Sequence, residues 1–196
     1  MKTLLSAPLL IVALSCAQAS AQQRRFDQPL PPKTDLEALQ LETGAVIVRG
    51  LQRVGGVRAL AAGRVDVAAM EIIDTASGRR VRGVTVEVEE GGGERRREVT
   101  AFVDYEELDG LIKGLESVGR VERGETQLPS FEVSFRTKGD LLISVFSSRG
   151  GTTRCVISAG EFAPASVAIP FDELSNLRTL ISTAKNRLDD ARQVKE

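Results

Sequence analysis

Apolar and polar residues alternate along much of the chain after residue 44, and this alternation predicts antiparallel β-strands. The clearest case is Val84 to Glu89, where three valines alternate with a threonine and two glutamates. A strand with this pattern buries one face and exposes the other. The glycine run Gly91–Gly93 predicts a hairpin tip, so we expect Arg97 to Val103 to form the return strand.

Further strands are predicted on both sides of this hairpin. They are Ala45–Arg49, Arg64–Ile73, Phe131–Arg136, Leu141–Phe146, Arg154–Ser158 and Val167–Ile169. Gly55 and Gly56 predict a turn between the first two strands. In the second strand the apolar positions shift by one residue at Met70, and such a shift in a two-residue period predicts a β-bulge or a bend.

Three segments have the apolar spacing of helices. They are Asp35–Glu42, a segment that begins after Asp104, and Phe171–Val194. In the middle segment, Leu108, Leu111 and Leu115 form one apolar stripe. Asp104 followed by Glu107 matches a capping box, which predicts that Asp104 caps this helix.

The chain also carries an internal similarity at a fixed offset of 66 residues. Residues 101–108 align with residues 167–174, and the apolar stripe of the helix that follows stays in phase. Chance likeness between amphipathic elements is the alternative explanation. The pattern predicts an α+β fold in which two related antiparallel sheet-plus-helix units, 35–120 and 121–196, pack as one domain. The second unit is expected to end in a long C-terminal helix.

The first 21 residues have the pattern of a bacterial-type export signal. Lys2 precedes an apolar run, Leu4 to Leu14, that is too short to span a bilayer. Two small-residue cleavage patterns follow, Ala17-Gln18-Ala19 and Ala19-Ser20-Ala21. We therefore expect a periplasmic or secreted protein with no transmembrane helix in the mature chain.

Cys16 offers an alternative end to this signal. It follows a small residue, Ser15, as the lipidated cysteine of a lipoprotein signal does, although the preceding leucine is one position out of place. Lipidation of Cys16 would anchor the protein to the membrane. Residues 22–34 are predicted to be a flexible tether because they are polar and contain Pro29, Pro31 and Pro32.

The composition limits the chemistry that the chain can perform. It has no histidine, which excludes Ser-His and Cys-His nucleophile pairs and histidine-ligated zinc. With Cys16 removed, Cys155 has no intrachain partner and is predicted to be a buried thiol. We predict no catalytic residues, no bound cofactor and no metal ion. The 26 basic and 27 acidic residues nearly cancel, which does not indicate a polyanion as partner.

Two arginine clusters flank the predicted hairpin and form a candidate anion-binding patch. They are Arg79, Arg80 and Arg82 before it, and Arg95, Arg96 and Arg97 after its tip. Guanidinium groups bind phosphate and carboxylate well. Interleaved glutamates such as Glu89 and Glu98 favour the alternative of a solvated, internally neutralised hairpin.

Acidic residues near the two helix starts are candidates for carboxylate chemistry. They are Glu106, Glu107, Asp109, Asp172 and Glu173. Acids in a first helical turn also stabilise the helix through its dipole, and this structural interpretation is favoured. A hydrolase that uses carboxylates alone remains an alternative function, since such enzymes need two acids across a cleft.

The favoured function is therefore a non-catalytic binding or interaction domain of the cell envelope, whose partner is an envelope protein or ligand. A second alternative comes from fold-level analogy. Tandem antiparallel strands followed by a helix resemble the PUR and Whirly-type proteins, which implies binding of single-stranded nucleic acid. Such proteins use basic grooves with stacking aromatic residues. The export signal and the balanced charge make nucleic acid a disfavoured partner.

Overall fold

A computed structural model describes residues 31–120, 126–128, 130–147 and 153–193. The predicted export signal, including Cys16, and residues 22–30 of the predicted tether lie outside the described residues. Sheet 1 consists of β1 (Ile47–Arg58), β2 (Gly63–Asp74), β3 (Arg80–Glu90) and β4 (Arg97–Asp104). Sheet 2 consists of β5 (Glu132–Arg136), β6 (Leu141–Ser147), β7 (Thr153–Ala159) and β8 (Ala165–Ile169). The helices are α1 (Asp35–Gln40), α2 (Leu108–Arg120) and α3 (Glu173–Gln193).

Both sheets are antiparallel and place their four strands in chain order, so neighbouring strands pair through short connections. Each sheet is followed by one long helix, α2 after sheet 1 and α3 after sheet 2. The predicted α+β layout with two antiparallel sheets is confirmed. None of the described helices is long and apolar enough to cross a membrane.

The 66-residue offset holds only at the strand-to-helix junctions. Both members of the following pairs are buried: Val103 and Ile169, Leu108 and Leu174, Leu111 and Leu177. The offset changes one strand earlier. Val103 pairs with Val84 and its equivalent Ile169 pairs with Cys155, and Val84 and Cys155 are separated by five residues more than the 66-residue offset. The structure therefore has two similar layouts, and the constant offset does not extend to the whole unit.

The two long helices exchange sheets, in that each helix packs on the sheet of the other unit. Helix α3 packs on β1, β2 and β3 of sheet 1, whereas α2 packs on β5 and β6 of sheet 2, and the helices also contact each other. One apolar core consequently contains residues of both sheets and both helices. Because each unit covers the sheet of the other, neither unit keeps its core when separated.

Helix α1 explains the shift at Met70. Leu36 and Leu39 of α1 are fully buried against Met70 and Ile72 of β2, on the face of sheet 1 opposite the main core. The predicted bulge in β2 is wrong, since β2 pairs with β3 in continuous register and the register shift against β1 falls between Arg53 and Gly55. The apolar positions change parity because the strand is covered on one face along its first half and on the other face along its second half. We call the face that α1 contacts the outer face.

The predicted turn at Gly55 and Gly56 is also wrong. Both glycines lie inside β1, where the register against β2 shifts between Arg53 and Gly55. Their small size is used for close packing. A Cβ on Gly55 would lie 2.8 Å from Cδ2 of Leu180 in α3, and one on Gly56 would lie 2.7 Å from the carbonyl oxygen of Val65.

Asp104 does not cap α2. A short 3-10 turn separates it from that helix, and its side chain makes no capping hydrogen bond there. Its carboxylate instead accepts hydrogen bonds from the backbone N–H groups of Asp35 (2.8 Å) and Leu36 (3.1 Å) at the start of α1. The Glu107 side chain also turns elsewhere, because it accepts a bond from the backbone N–H of Lys138.

The last two residues of the predicted tether belong to the folded part. Thr34 is buried and forms a capping box with Glu37 at the start of α1. The ammonium group of Lys33 lies 2.7 Å from carboxylate oxygens of both Asp140 and Glu161. The N-terminal segment is thereby held to turns of the second unit as well as to sheet 1.

Candidate functional site

The first half of β1 is an open sheet edge. Sheet 1 runs in the order β1-β2-β3-β4, so β1 has a strand neighbour on one side only among the described residues. Residues 48–53 are all exposed, and helix α3 contacts the strand further along, at Gly55. An edge strand offers unpaired backbone N–H and C=O groups to another extended chain. We call the segment Ile47–Arg53 the β1 edge.

Apolar side chains are exposed in and beside this edge. Val46, Val48 and Leu51 keep 67%, 50% and 60% of their surface accessible. Val48 pairs with Ile73 and Leu51 pairs with Met70, so the two side chains lie on opposite faces of the sheet. An added strand would therefore find apolar contacts on both faces. A single exposed leucine is ordinary, but apolar side chains on both faces of an open edge fit a docking surface.

The β1 edge is basic. It contains Arg49 and Arg53 and no acidic residue, and Arg58 follows further along the same strand. Arg53 forms an ion pair with Asp66 of β2 and stays 62% exposed. Arg49 has no ion pair within the described part of the chain. Arg49, Leu51 and Arg53 pair with Ile72, Met70 and Ala68, which places all three on the outer face.

A shallow depression of about 310 Å³ adjoins the edge on the outer face. Its lining includes Leu51, Arg53, Asp66 and Glu87. Burial raises the pKa of the Glu87 carboxyl above its usual 4.5, and the nearby Glu98 and Asp66 raise it further. These acids are held among arginines, so the depression has mixed charge.

Asp66, Glu89 and Glu98 on this face are already in ion pairs, whereas Glu87 has none among the described residues. Arg64 lies 2.7 Å from Asp66 and 3.2 Å from Glu89, and Arg96 lies 3.1 Å from Glu89 and 2.7 Å from Glu98. Such pairing leaves little free charge for an ion or for acid–base work. This arrangement indicates a sheet surface on which opposite charges largely neutralise each other.

The structure does not bring the six arginines of the predicted anion patch together. Arg79, Arg80 and Arg82 lie at the start of β3, and Arg95, Arg96 and Arg97 lie beyond its other end. The eleven residues of β3 separate the clusters by roughly 30 Å at the usual rise of a strand.

Most of these arginines contact an acidic side chain, and one donates a hydrogen bond to a backbone carbonyl oxygen. Arg80 and Arg82 lie 2.9 and 2.8 Å from Glu71, whose pKa is lowered because hydrogen bonds from the two arginines outweigh its burial. Arg79 lies within 4 Å of Asp35 and Glu42. Arg97 donates to the carbonyl oxygen of Pro164 at 3.1 Å.

The candidate carboxylates near the helix starts are scattered. Asp109 lies 3.6 Å from the ammonium group of Lys185, and Glu173 accepts a bond from the side chain of Asn176. Asp35, Asp104 and Glu106 bring oxygens within 4.8 Å of one another. Because Asp104 already accepts two backbone N–H groups, this group serves to hold α1 in place.

A second concave region lies between α2 and α3 and has a volume of about 510 Å³. Its lining combines Leu115 and Phe171 with Arg120, Arg178 and other polar residues. Arg120 and Arg178 share the single carboxylate of Glu116, and Asp172 adds a second acid to the lining.

Cys155 is a buried thiol, as the sequence predicts. It lies fully buried in β7, and burial raises its pKa to about 12. A thiol in this state is a poor nucleophile at neutral pH.

Comparison with known proteins returned no match to a protein-family model, to a curated protein or to a solved structure. The candidate site therefore depends on this chain alone. Sequence reasoning missed the β1 edge because the run Ala45–Arg49 has the composition of a buried strand. Strand order, which decides whether a strand is an edge, leaves no local signal in the sequence.

Proposed function

We propose that this protein is an exported, non-catalytic domain of the cell envelope that binds an extended segment of a partner protein. The segment adds to sheet 1 along the β1 edge. The observation that carries the proposal is the strand's exposure from residue 48 to residue 53, with Val48 and Leu51 accessible on opposite faces. In strand addition, backbone hydrogen bonds supply affinity and alternate side chains supply specificity.

A binding role agrees with the chemistry of the described residues. Most of their clustered carboxylates are paired with arginines or with backbone N–H groups, and the Cys155 thiol is buried. The chain supplies no histidine for general base catalysis at neutral pH. These features favour binding over the alternative of a hydrolase that uses carboxylates alone.

Single-stranded nucleic acid binding is the second candidate, and the layout of strands favours it. Four antiparallel strands followed by a helix occur twice in the described residues, as in PUR and Whirly-type proteins. The outer face of sheet 1, however, carries Asp66, Glu87 and Glu98 beside its arginines. Acids on this face repel phosphate, and nucleic-acid grooves of this class are basic and rich in aromatic residues.

A peptide-display selection tests the proposal. Random seven-residue peptides, the length of the β1 edge, are selected against the wild-type protein and against Leu51→Lys. Phe162→Lys is the matched control, because Phe162 is a 75% exposed apolar residue outside sheet 1. We expect enrichment on wild type and on Phe162→Lys, and its loss on Leu51→Lys. Equal enrichment on all three proteins, or none on wild type, would overturn the proposal.

Two further measurements address the alternatives and the location. A fluorescently labelled single-stranded oligonucleotide is titrated at low ionic strength, where phosphate binding is strongest. Binding there would favour the nucleic-acid candidate. Mass spectrometry of the protein from fractionated cells tests export. A mature N-terminus at Ser20 or Gln22 supports a periplasmic or secreted protein, a diacylated Cys16 supports a lipid anchor, and an intact Met1 contradicts export.

A further inference from the structure

The partner segment can be described by its charge. We infer that the strand docked on the β1 edge carries two carboxylates that flank an apolar residue, all three on the outer face. This inference rests on the proposed function and adds the chemistry of the partner. It follows from three observations on β1, which are its charge pattern, its register shift and its poor fit to a second copy.

The charge pattern of β1 specifies three positions of the partner. Arg49, Leu51 and Arg53 follow one another on the outer face, because they pair with Ile72, Met70 and Ala68 of β2. An added strand places every second side chain on this face, directly opposite these three. Opposite charges at such positions stabilise a sheet and like charges destabilise it. The pattern acid, apolar, acid reads the same in both chain directions, so it suits a parallel or an antiparallel partner.

Both arginines are open to a new carboxylate. Arg49 is exposed and has no ion pair within the described residues. Arg53 keeps 62% of its side chain exposed while it holds Asp66, and a guanidinium group has five N–H donors. A second carboxylate can therefore bind Arg53 without displacing the first.

The register shift sets the length of the segment. Between Arg53 and Gly55 the pairing of β1 with β2 is interrupted, and a bulge bends and twists a strand. Beyond it, Leu180 of α3 lies against Gly55, so the core face is covered there. A straight partner strand thus fits along Ile47–Arg53, a stretch of seven residues.

A second copy of this chain would bring two more arginines and no acid to the same edge. When two β1 edges pair antiparallel with Leu51 opposite Leu51, Arg49 of each copy faces Arg53 of the other. In-register parallel pairing sets each arginine against itself. Like charges directly opposite are destabilising, and charges on an edge strand are a common protection against self-association. Charge complementarity favours an acidic partner over a copy of the chain.

Labelled peptides of defined charge test the inference. The probes are Thr-Glu-Thr-Leu-Thr-Glu-Thr, its lysine counterpart and its glutamine counterpart, and binding is read by fluorescence anisotropy. Each opposite-charge pair improves affinity by about threefold over a neutral pair, so the glutamate peptide should bind roughly tenfold more tightly than the glutamine peptide, and the lysine peptide should bind more weakly still. The preference should shrink as salt is raised, because exposed charge pairs are screened.

Charge-reversal variants locate the effect. In Arg49→Glu the preference for the glutamate peptide should fall or reverse. The matched control is Arg58→Glu, on the same strand beyond the register shift, and it should keep the wild-type preference. Circular dichroism and thermal melting of both variants confirm that the fold is retained; if Arg49→Glu unfolds, Arg49→Gln replaces it and should lose part of the preference.

The outcomes separate the inference from the function that it rests on. Equal binding of the three peptides to the β1 edge overturns the charge inference and leaves strand addition standing. Binding of none of them overturns the inference and counts against the proposed function as well. Sedimentation that shows a dimer dissociated by Leu51→Lys identifies a second copy as the occupant and overturns the inference. A glutamate preference that Arg49→Glu abolishes and Arg58→Glu keeps supports it.

Discussion

At the scale of single residues, Asp104 shows how tertiary position overrides a local motif. The sequence places it three residues before Glu107, as in a capping box, yet its carboxylate binds the first turn of the neighbouring helix α1, whose N-cap is Thr34. Its carboxylate satisfies two backbone N–H groups, although its partners lie about 70 residues away in the chain. A local pattern cannot reveal this role, because it depends on which helix is docked nearby.

Replacement of Asp104 with alanine should therefore release the start of α1. We expect Asp104→Ala to lower the free energy of unfolding by about 2 kcal/mol, since it leaves N–H groups at a helix start without their acceptor. Urea denaturation measures this loss. Glu106→Ala is the matched control, as Glu106 is an exposed acid two residues away, and it should change stability by less than about 0.5 kcal/mol. Equal effects of the two variants would contradict the assigned role of Asp104.

Glu87 should make the protein less stable as the pH rises. Burial, then Glu98 and Asp66, raises its folded-state pKa above 4.5, so the folded state holds this proton more firmly than the unfolded state. Stability attributable to Glu87 is consequently lost as the pH increases from 4.5 through the folded-state pKa. Relative to wild type, Glu87→Gln should gain stability between about pH 4 and pH 7, and the exposed Glu94→Gln should not. Parallel urea titrations at the two pH values check the sign.

At the scale of elements, the exchange of helices between sheets is the feature that joins the two units. In each of the two contacts a glycine packs against a large side chain. The glycine lies in the strand on sheet 1 and in the helix on sheet 2. On sheet 1, Gly55 of the strand receives Leu180 of α3, and on sheet 2, Phe135 of β5 covers Gly114 of α2. Gly114 and Leu180 are 66 residues apart, so equivalent helix positions carry a glycine in one case and a leucine in the other.

The contact on sheet 2 gives a prediction with an internal control. A Cβ on Gly114 would lie 2.4 Å from the Phe135 ring, whereas nothing lies within 4 Å of a Cβ on Gly110 in the same helix. We expect Gly110→Ala to stabilise the protein by up to about 1 kcal/mol, the usual gain of alanine over glycine in a helix. Gly114→Ala should destabilise it by about 1–2 kcal/mol because it overpacks the contact.

A double mutant isolates that contact. Phe135→Leu in the Gly114→Ala background should recover part of the lost stability, since the smaller side chain makes room for the new methyl group. Thermal or urea unfolding of the four proteins completes the cycle. Additive losses in the double mutant would show that α2 does not rest on β5 as described.

The sequence predicted most elements because strand and helix periodicity is local. Val84 to Glu89, for example, alternates as expected and lies within β3. The errors fall where a residue's role depends on distant partners. The shift of the apolar positions at Met70 comes from the packing of α1 and not from a bulge. Gly55 and Gly56 allow close packing inside a strand and do not form a turn.

At the scale of the whole molecule, the two units share one core and each covers the sheet of the other. The first half of β1 is left exposed by this arrangement. The N-terminal segment packs on the outer face of sheet 1 through α1, and the ion pairs of Lys33 hold it to turns of the second unit. The β1 edge lies beside α1, and its free side has no strand neighbour among the described residues. The candidate site could not be predicted from the sequence, because an edge is a property of strand order and of what the helices leave uncovered.

The exchange rates of backbone amides test the central claim most directly. The protein is mixed with an excess of the peptide Thr-Glu-Thr-Leu-Thr-Glu-Thr, and hydrogen exchange is followed residue by residue by NMR. If a partner strand adds to sheet 1, amides of Ile47–Arg53 that point away from β2 will exchange more slowly with the peptide than without it, and the rest of the chain will change little. Unchanged exchange along β1, or slowing confined to the concave region between α2 and α3, would contradict the account.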